Sequence, residues 1–317
     1  MIKKIHFAAV AAAFAFAGCA EGQIDVLSQN EESDEIVELT VNITDDLTKT
    51  TGQEYLDNIV NDVQIFVFNR YGVYETSATG EGRSVTFSCT RGHKQIVALV
   101  NAEPETDVKN IDDLKGRTSD LANVGKGELV MVGSTEADLP ESSPVSIKVA
   151  RLASMVVLKS VYLDFALAQH RQLSFEISSV YMINVAGDKA YMKDNEPSIW
   201  YNKGLCDPGT TLAHLYDSVE DGTLISQGLK YETNHYFYCY PNDTATKTRL
   251  VIEALIGGNK YYYPITLDKL QSNNMYSYDV TITRLGSDSP DVPVEEAAVT
   301  YTVSLESWTL SQGSKQI

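Results

Sequence analysis

Short runs of β-branched and aromatic residues, interrupted again and again by glycine, asparagine and aspartate, constrain this chain more than any other feature. Gln64-Ile65-Phe66-Val67-Phe68, Val85-Thr86-Phe87, Gln95 to Val100 and Val145 to Val149 have strand length and are bounded by turn formers. The same texture returns in Met155 to Leu158, Ser174 to Ile177, Val251 to Ile256, Tyr276 to Thr283 and Val299 to Leu305. Helical pattern is sparse: Ile111 to Leu114 with Leu121 predicts one short helix, and Leu212 to Val219 a second. The expectation is an all-β protein with minor helix, because many short strands must bury their inward faces against one another in sandwiches. Pro140-Glu141-Ser142-Ser143-Pro144 closes the first group of strands, which sets a boundary near residue 150 between two tandem β-sandwich domains.

The N-terminus reads as an export signal. Lys3 and Lys4 precede an apolar run from Phe7 to Phe16, too short for a permanent bilayer helix of about 20 residues. The run ends in Phe16-Ala17-Gly18-Cys19, which resembles a lipobox with Phe where Leu is usual. Residues 1–18 are therefore expected to be removed and Cys19 to carry lipid, anchoring a precursor at the outer membrane through acyl chains worth about 0.8 kcal/mol per buried CH₂. An ordinary signal peptide with a chance cysteine would instead leave the chain soluble in the periplasm. Behind Cys19, residues 19–35 form an acidic tether; residues 19–49 together hold nine acids and one base.

Net charge is −18 and no acid lies in residues 1–18, so the mature chain is more acidic still, which argues against nucleic acid as a partner. Beyond Cys19 the cysteines are Cys89, Cys206 and Cys239. Buried thiols, or a bridge between Cys206 and Cys239 with Cys89 left over, are the two readings of that odd count. His93, His170, His214 and His235 fall in no metal-ligand or nucleophile motif, and GxSxG, HExxH and P-loop patterns are absent. Ser287-Asp288-Ser289-Pro290-Asp291 lacks the Gly and terminal Glu of a calcium loop and reads as a solvated linker. The tyrosines Tyr231, Tyr236, Tyr238, Tyr240, Tyr261, Tyr262 and Tyr263 read as core and sheet surface rather than as a sugar platform. No catalytic residue, metal site or cofactor is expected.

Several stretches together resemble the fimbrillins, subunits of Bacteroidia type V pili. Gly92 to Ala102 resembles a strand of the family's first domain that ends in an Asn-Ala pair. Val145 to Leu158, with Arg151-Leu152-Ala153 inside it, resembles the strand pair at the domain junction; Tyr278 to Arg284, then Asp288, Pro290 and Pro293, then Val299 to Trp308, resembles the C-terminal segment. The resemblance implies transthyretin-like sandwiches, residues 36–150 and 151–317, in a lipoprotein precursor that is not an enzyme. It also implies that a protease excises the first strand, residues 36–43, and that the groove so opened receives the C-terminal donor segment, residues 299–317, of the next subunit.

The residues fit that scheme. Val37, Leu39, Val41 and Ile43 alternate with polar residues, as in a half-buried strand. The polar stretch Thr44 to Gly52 follows, and its one base makes Lys49–Thr50 the expected cleavage bond, although the family is usually cut after Arg. At the other end Val299, Tyr301, Val303 and Leu305 alternate, then the apolar phase switches to Trp308 and Leu310. Pro290 and Pro293 are expected to let this segment leave its own domain. The function predicted is a pilus stalk subunit whose partners are copies of itself, related subunits, the processing protease and a host or bacterial surface receptor. A tip or anchor subunit, or a glycan-binding surface lipoprotein, are the alternatives.

Overall fold

The structure, a computed structural model, describes residues 33–44, 57, 59–125, 127–294 and 298–308. Its first strands are β1 (Ser33–Thr44), β2 (Asp62–Asn69), β3 (Tyr74–Glu81) and β4 (Ser84–Val100). After the short helix α1 (Ile111–Gly116) come β5 (Thr118–Asp120), β6 (Met131–Leu139), β7 (Val145–Lys148) and β8 (Ala150–Arg151). Strand β4 organises this half. Its early residues, Ser84 to Arg91, pair antiparallel with β1, whereas its later residues pair with β2 on one side and β6 on the other. Gly92 opens the second set opposite Leu139, at φ 114°, a backbone conformation that a side chain would resist.

Alternation decides what each strand buries. Leu39, Val41 and Ile43 of β1 meet Val63, Ile65, Val67, Ile96, Ala98, Val145 and Ile147 in an apolar cluster whose buried members all lie between residues 39 and 149. The opposite faces of β2 and β4 contribute Phe66, Phe68, Val97 and Leu99 to a larger cluster that extends to Trp308. Burial on both faces explains why these two strands read as near-continuous apolar runs. At Gly133 of β6 a Cβ would collide with the Lys148 carbonyl, so the approach of β6 to β7 depends on that glycine.

The second half continues with β9 (Ser154–Leu163), β10 (Phe175–Ile183), β11 (Val185–Ala186), β12 (Asp188–Ala190), β13 (Trp200–Tyr201), β14 (Tyr216–Leu224) and β15 (Lys230–Cys239). It ends with β16 (Arg249–Ile256), β17 (Asn259–Thr266), β18 (Asn274–Ile282) and β19 (Val299–Ser307). Two four-stranded sheets result, β14-β10-β16-β17 and β15-β9-β18-β19. All their pairings are antiparallel except β9 with β18. A small ribbon joins β12 to β5 of the first half.

Two expectations need adjustment and a third holds. The first predicted helix is α1, started by Asn110, whose side chain accepts from the Asp113 amide at 2.8 Å. The second is a single 3₁₀ turn at Ala213–Leu215 that runs straight into β14; Tyr216 stacks on Tyr181 of β10, a cross-strand contact that outweighs helical spacing. The stretch from Ser287 to Asp291 is docked rather than a free linker. Ser287 exchanges two backbone hydrogen bonds with Tyr262 of β17, and Asp291 receives Arg249 at 2.5 Å and the Asn184 amide at 2.9 Å. Cys89, Cys206 and Cys239 are all buried and unbridged, and burial pushes the thiols up, to about 11 for Cys89 and about 12 for Cys239.

Candidate functional site

Strand β1 occupies a slot within its sheet. It pairs antiparallel with β4 from Val37↔Cys89 to Asn42↔Ser84 and parallel with β7 from Val41↔Val145 to Thr44↔Lys148. Leu39 and Val41 are fully buried, Ile43 nearly so, and Val37 packs at the margin of the cluster. Polar side chains on the other face tie the strand to its neighbours: Thr40 Oγ1 lies 2.9 Å from Thr86 Oγ1, and Ser84 donates to Asn42 Oδ1 at 2.9 Å. The sequence-predicted alternation is thus the one that places side chains in the core. Three large aliphatic side chains buried there contribute roughly 1.5–3 kcal/mol each.

Strand β19 is a different kind of element. It pairs along its whole length with β18, from Asn274↔Ser307 to Ile282↔Val299, and no other described strand pairs with its outer edge. Sequence alternation predicts an apolar face of Val299, Tyr301, Val303 and Leu305. Only Val299 is buried: Tyr301, Val303 and Leu305 are 44%, 41% and 61% exposed, with the Tyr301 ring against Tyr278. A row of apolar side chains on an open edge strand is a ready surface for further pairing. Leu310, like Cys19 and the bond Lys49–Thr50, lies outside the described residues.

Beyond Leu305 the chain returns to the interior at Trp308, which is 3% exposed. The Arg151 guanidinium lies 4.5 Å from the centre of its ring, and the Tyr238 ring stacks on it at 5.9 Å. Arg151, also 3% exposed, donates from Nη1 to Asn273 Oδ1 at 2.9 Å and from Nε to the Asp57 carbonyl at 3.1 Å. The Tyr238 hydroxyl donates to Asp57 Oδ1 at 2.6 Å. Burial and the neighbouring Asp57 carboxylate push the Tyr238 hydroxyl pKa well up, so it remains a donor. A desolvated cation over an indole is worth about 2 kcal/mol. Stranding a buried charge costs about 3–5 kcal/mol. Sequence reading marked Arg151 and Trp308 separately but missed Asp57, whose relevance depends on a contact with Tyr238 across 181 residues.

A second charged pair, also missed, sits under the first half. Lys94 Nζ is 2.7 Å from Glu75 Oε2 and donates to Thr90 Oγ1 at 2.7 Å, with the lysine side chain 1% exposed. Burial resists ionisation of Glu75, yet the bonds from Lys94 and Thr90 outweigh it and lower its pKa. The tyrosines divide as expected for sheet residues, Tyr238, Tyr240 and Tyr263 buried and the others half-buried. A groove of about 600 Å³ elsewhere is lined by Trp200, Pro197, Pro241 and Asp243 and by none of those tyrosines. Among the described residues no three His, Cys, Asp or Glu side chains group as metal ligands.

The family described as major fimbrial subunit protein (FimA) matches residues 37–154, which begin within β1 and end at the start of β9. No curated protein matches the chain in sequence. Among solved structures, a cell adhesion protein from Bacteroides eggerthii is similar with a TM-score of 0.69 at 19% identity, covering 87% of this chain and 97% of that one. A fimbrilin from Porphyromonas gingivalis gives a TM-score of 0.60 at 16% identity, covering 87% and 98%. The tip fimbrial protein Mfa3 of the same organism, with a C-terminal truncation, gives 0.51 at 11% identity, covering 86% and 100%. At such identities the structures establish a shared fold over most of the chain. The sequence match, to a family of fimbrial subunits, takes in residues 37–154.

Proposed function

We propose that this protein is a fimbrial stalk subunit, lipidated at Cys19 in the precursor, cut between Lys49 and Thr50, and polymerised by strand exchange between copies. One observation carries the reading: β1 fills an interior slot with Leu39, Val41 and Ile43, while β19 presents Tyr301, Val303 and Leu305 at the same two-residue spacing to solvent. Loss of β1 would leave β4 and β7 each with an unpaired edge above an open core. An incoming C-terminal segment would restore both the backbone ladder and the side-chain contacts, which is β-augmentation. On this proposal the two domains divide near residue 150, where the cluster confined to residues 39–149 and the family match both end.

Purified filaments test it directly. Edman sequencing should return Thr50 as the first residue, and an acylated Cys19 should appear in the precursor alone. Val303→Asp should leave the precursor folded, because Val303 is exposed there, yet abolish elongation by placing a charge in an apolar slot. Filaments that begin at Cys19, or that grow normally with Val303→Asp, would reject strand exchange by this segment.

A further inference from the structure

We propose that Asp57, Arg151, Tyr238 and Trp308 form a latch through which the chain behind the first strand holds the C-terminal strand shut, with Arg151 as its positioning residue; this rests on the strand-exchange reading above. Strand β19 has few attachments of its own. One edge bonds to β18, its central apolar row is exposed, and the buried anchors are Val299 at its start, 8% exposed, and Trp308 just beyond its last residue, 3% exposed. Release of such a strand depends on its end anchors, since the middle buries little.

The anchor at Trp308 is built around one distant residue. Arg151 lies over the indole and Tyr238 stacks on it, and both groups bond to Asp57, Arg151 to the carbonyl and Tyr238 to the carboxylate. Arg151 Nη1 also reaches the Trp308 carbonyl at 3.5 Å, so the guanidinium touches both partners it would link. Asp57 therefore places the two groups that grip Trp308.

Its position in the chain gives this contact a consequence. In the intact chain Asp57 is joined covalently, through residues 45–56, to Thr44, which is held in the sheet. A nick between Lys49 and Thr50 leaves Asp57 seven residues from a free end. A segment held at one side frays more readily than one held at both. When Asp57 leaves, Tyr238 loses its acceptor and Arg151 one of its buried ones, and Trp308 is gripped less firmly. Cutting thus does two things at once: it frees β1 to depart and it loosens the segment that will enter the next subunit's slot. Before the cut both slot and donor stay closed, which guards against premature polymerisation.

Hydrogen exchange read by mass spectrometry on the full soluble monomer tests the coupling. Arg151→Met should speed amide exchange across 299–308 at least tenfold, with exchange in β16 unchanged. Tyr238→Phe removes one oxygen, keeps the ring stack, and should speed it severalfold; combined with Arg151→Met it removes both groups that bond Asp57. Wild-type chain nicked at Lys49 by lysyl endopeptidase, with the product verified by mass, should also exchange severalfold faster there, and nicking the Arg151→Met/Tyr238→Phe double variant should add nothing. The latch is overturned if nicking leaves exchange in 299–308 unchanged, or if it speeds exchange in the double variant as much as in the wild type. Should Arg151→Met fail to fold, Tyr238→Phe and the nick still decide the matter. Because the readout is a monomer property, a latch that opens in chains that never polymerise would reject strand exchange and leave the latch standing.

Discussion

Buried polar side chains separate what a residue looks like in sequence from what it does. His214 reads as an ordinary histidine, yet its Nε2 is buried with no hydrogen-bond partner among the described residues, and burial pushes its pKa down to about 4 from a usual 6.5. The unfolded chain takes up a proton below about 6.5 while the folded chain does not until about 4, so acidification across that window favours unfolding. Stability should fall by roughly 2–3 kcal/mol between those limits, and His214→Gln should flatten that slope in urea titrations run at several pH values. Glu75, with its lowered pKa, acts in a lower window: its contribution is present above the usual carboxylate value of 4.5 and disappears as the carboxyl protonates beneath it. Replacing Lys94 by methionine should cost about 3–5 kcal/mol, because it leaves Glu75 without its counter-charge; a loss under 1 kcal/mol in chemical denaturation would show the pair to be expendable.

Two strands with similar spelling behave oppositely at the level of elements. Leu39-Thr40-Val41-Asn42-Ile43 and Tyr301-Thr302-Val303-Ser304-Leu305 both alternate apolar with polar, but the first lies between two strands above a core and the second on an edge. Truncation should expose the difference. Leu39→Ala should destabilise the monomer by about 2–5 kcal/mol through loss of contacts and a residual cavity, whereas Val303→Ala should stay within about 0.5 kcal/mol, as surface changes do. Comparable losses in thermal unfolding would mean that β19 is packed as deeply as β1. Gly133 belongs to this scale as well. Gly133→Ala should force β6 from β7 and lower the midpoint of unfolding, since the clash is with backbone and no rotamer can relieve it.

For the whole molecule, the docked stretch from Ser287 to Asp291 moves the expected hinge. Ser287 to Asp291 reads in sequence as a solvated linker, with Pro290 and Pro293 letting the segment beyond leave its domain, but Arg249 and Asn184 hold Asp291, and Ser287 bridges to β17. A donor arm would then swing from beyond Asp291. Breaking that clamp with Arg249→Ala should lengthen the arm and relax the spacing of subunits along a filament, a change that electron microscopy would register; an unaltered repeat would place the hinge elsewhere. Contacts across the chain's full length set this geometry, since the cluster that holds Trp308 also holds Phe66 and Leu99.

Local pattern by itself determined the strands. Ile65 to Phe68, Gln95 to Val100 and Val251 to Ile256 are strands because β-branched and aromatic runs bounded by turn formers have few other ways to bury themselves, and Leu39, Val41 and Ile43 point inward because a period of two leaves no alternative once one face is buried. The likeness to fimbrillins was legible for the same reason, since it is carried by the order of such strands. Tertiary structure alone decided which alternating strand became a core strand and which an open edge, because alternation says that two faces differ and not what covers them. It also decided that Tyr216 would begin a strand, that Ser287 to Asp291 would be pinned, and that Asp57, Arg151, Tyr238 and Trp308 would meet. Each of those outcomes depends on partners far away in the chain, and a buried charge or ring announces its partner by geometry rather than by spacing.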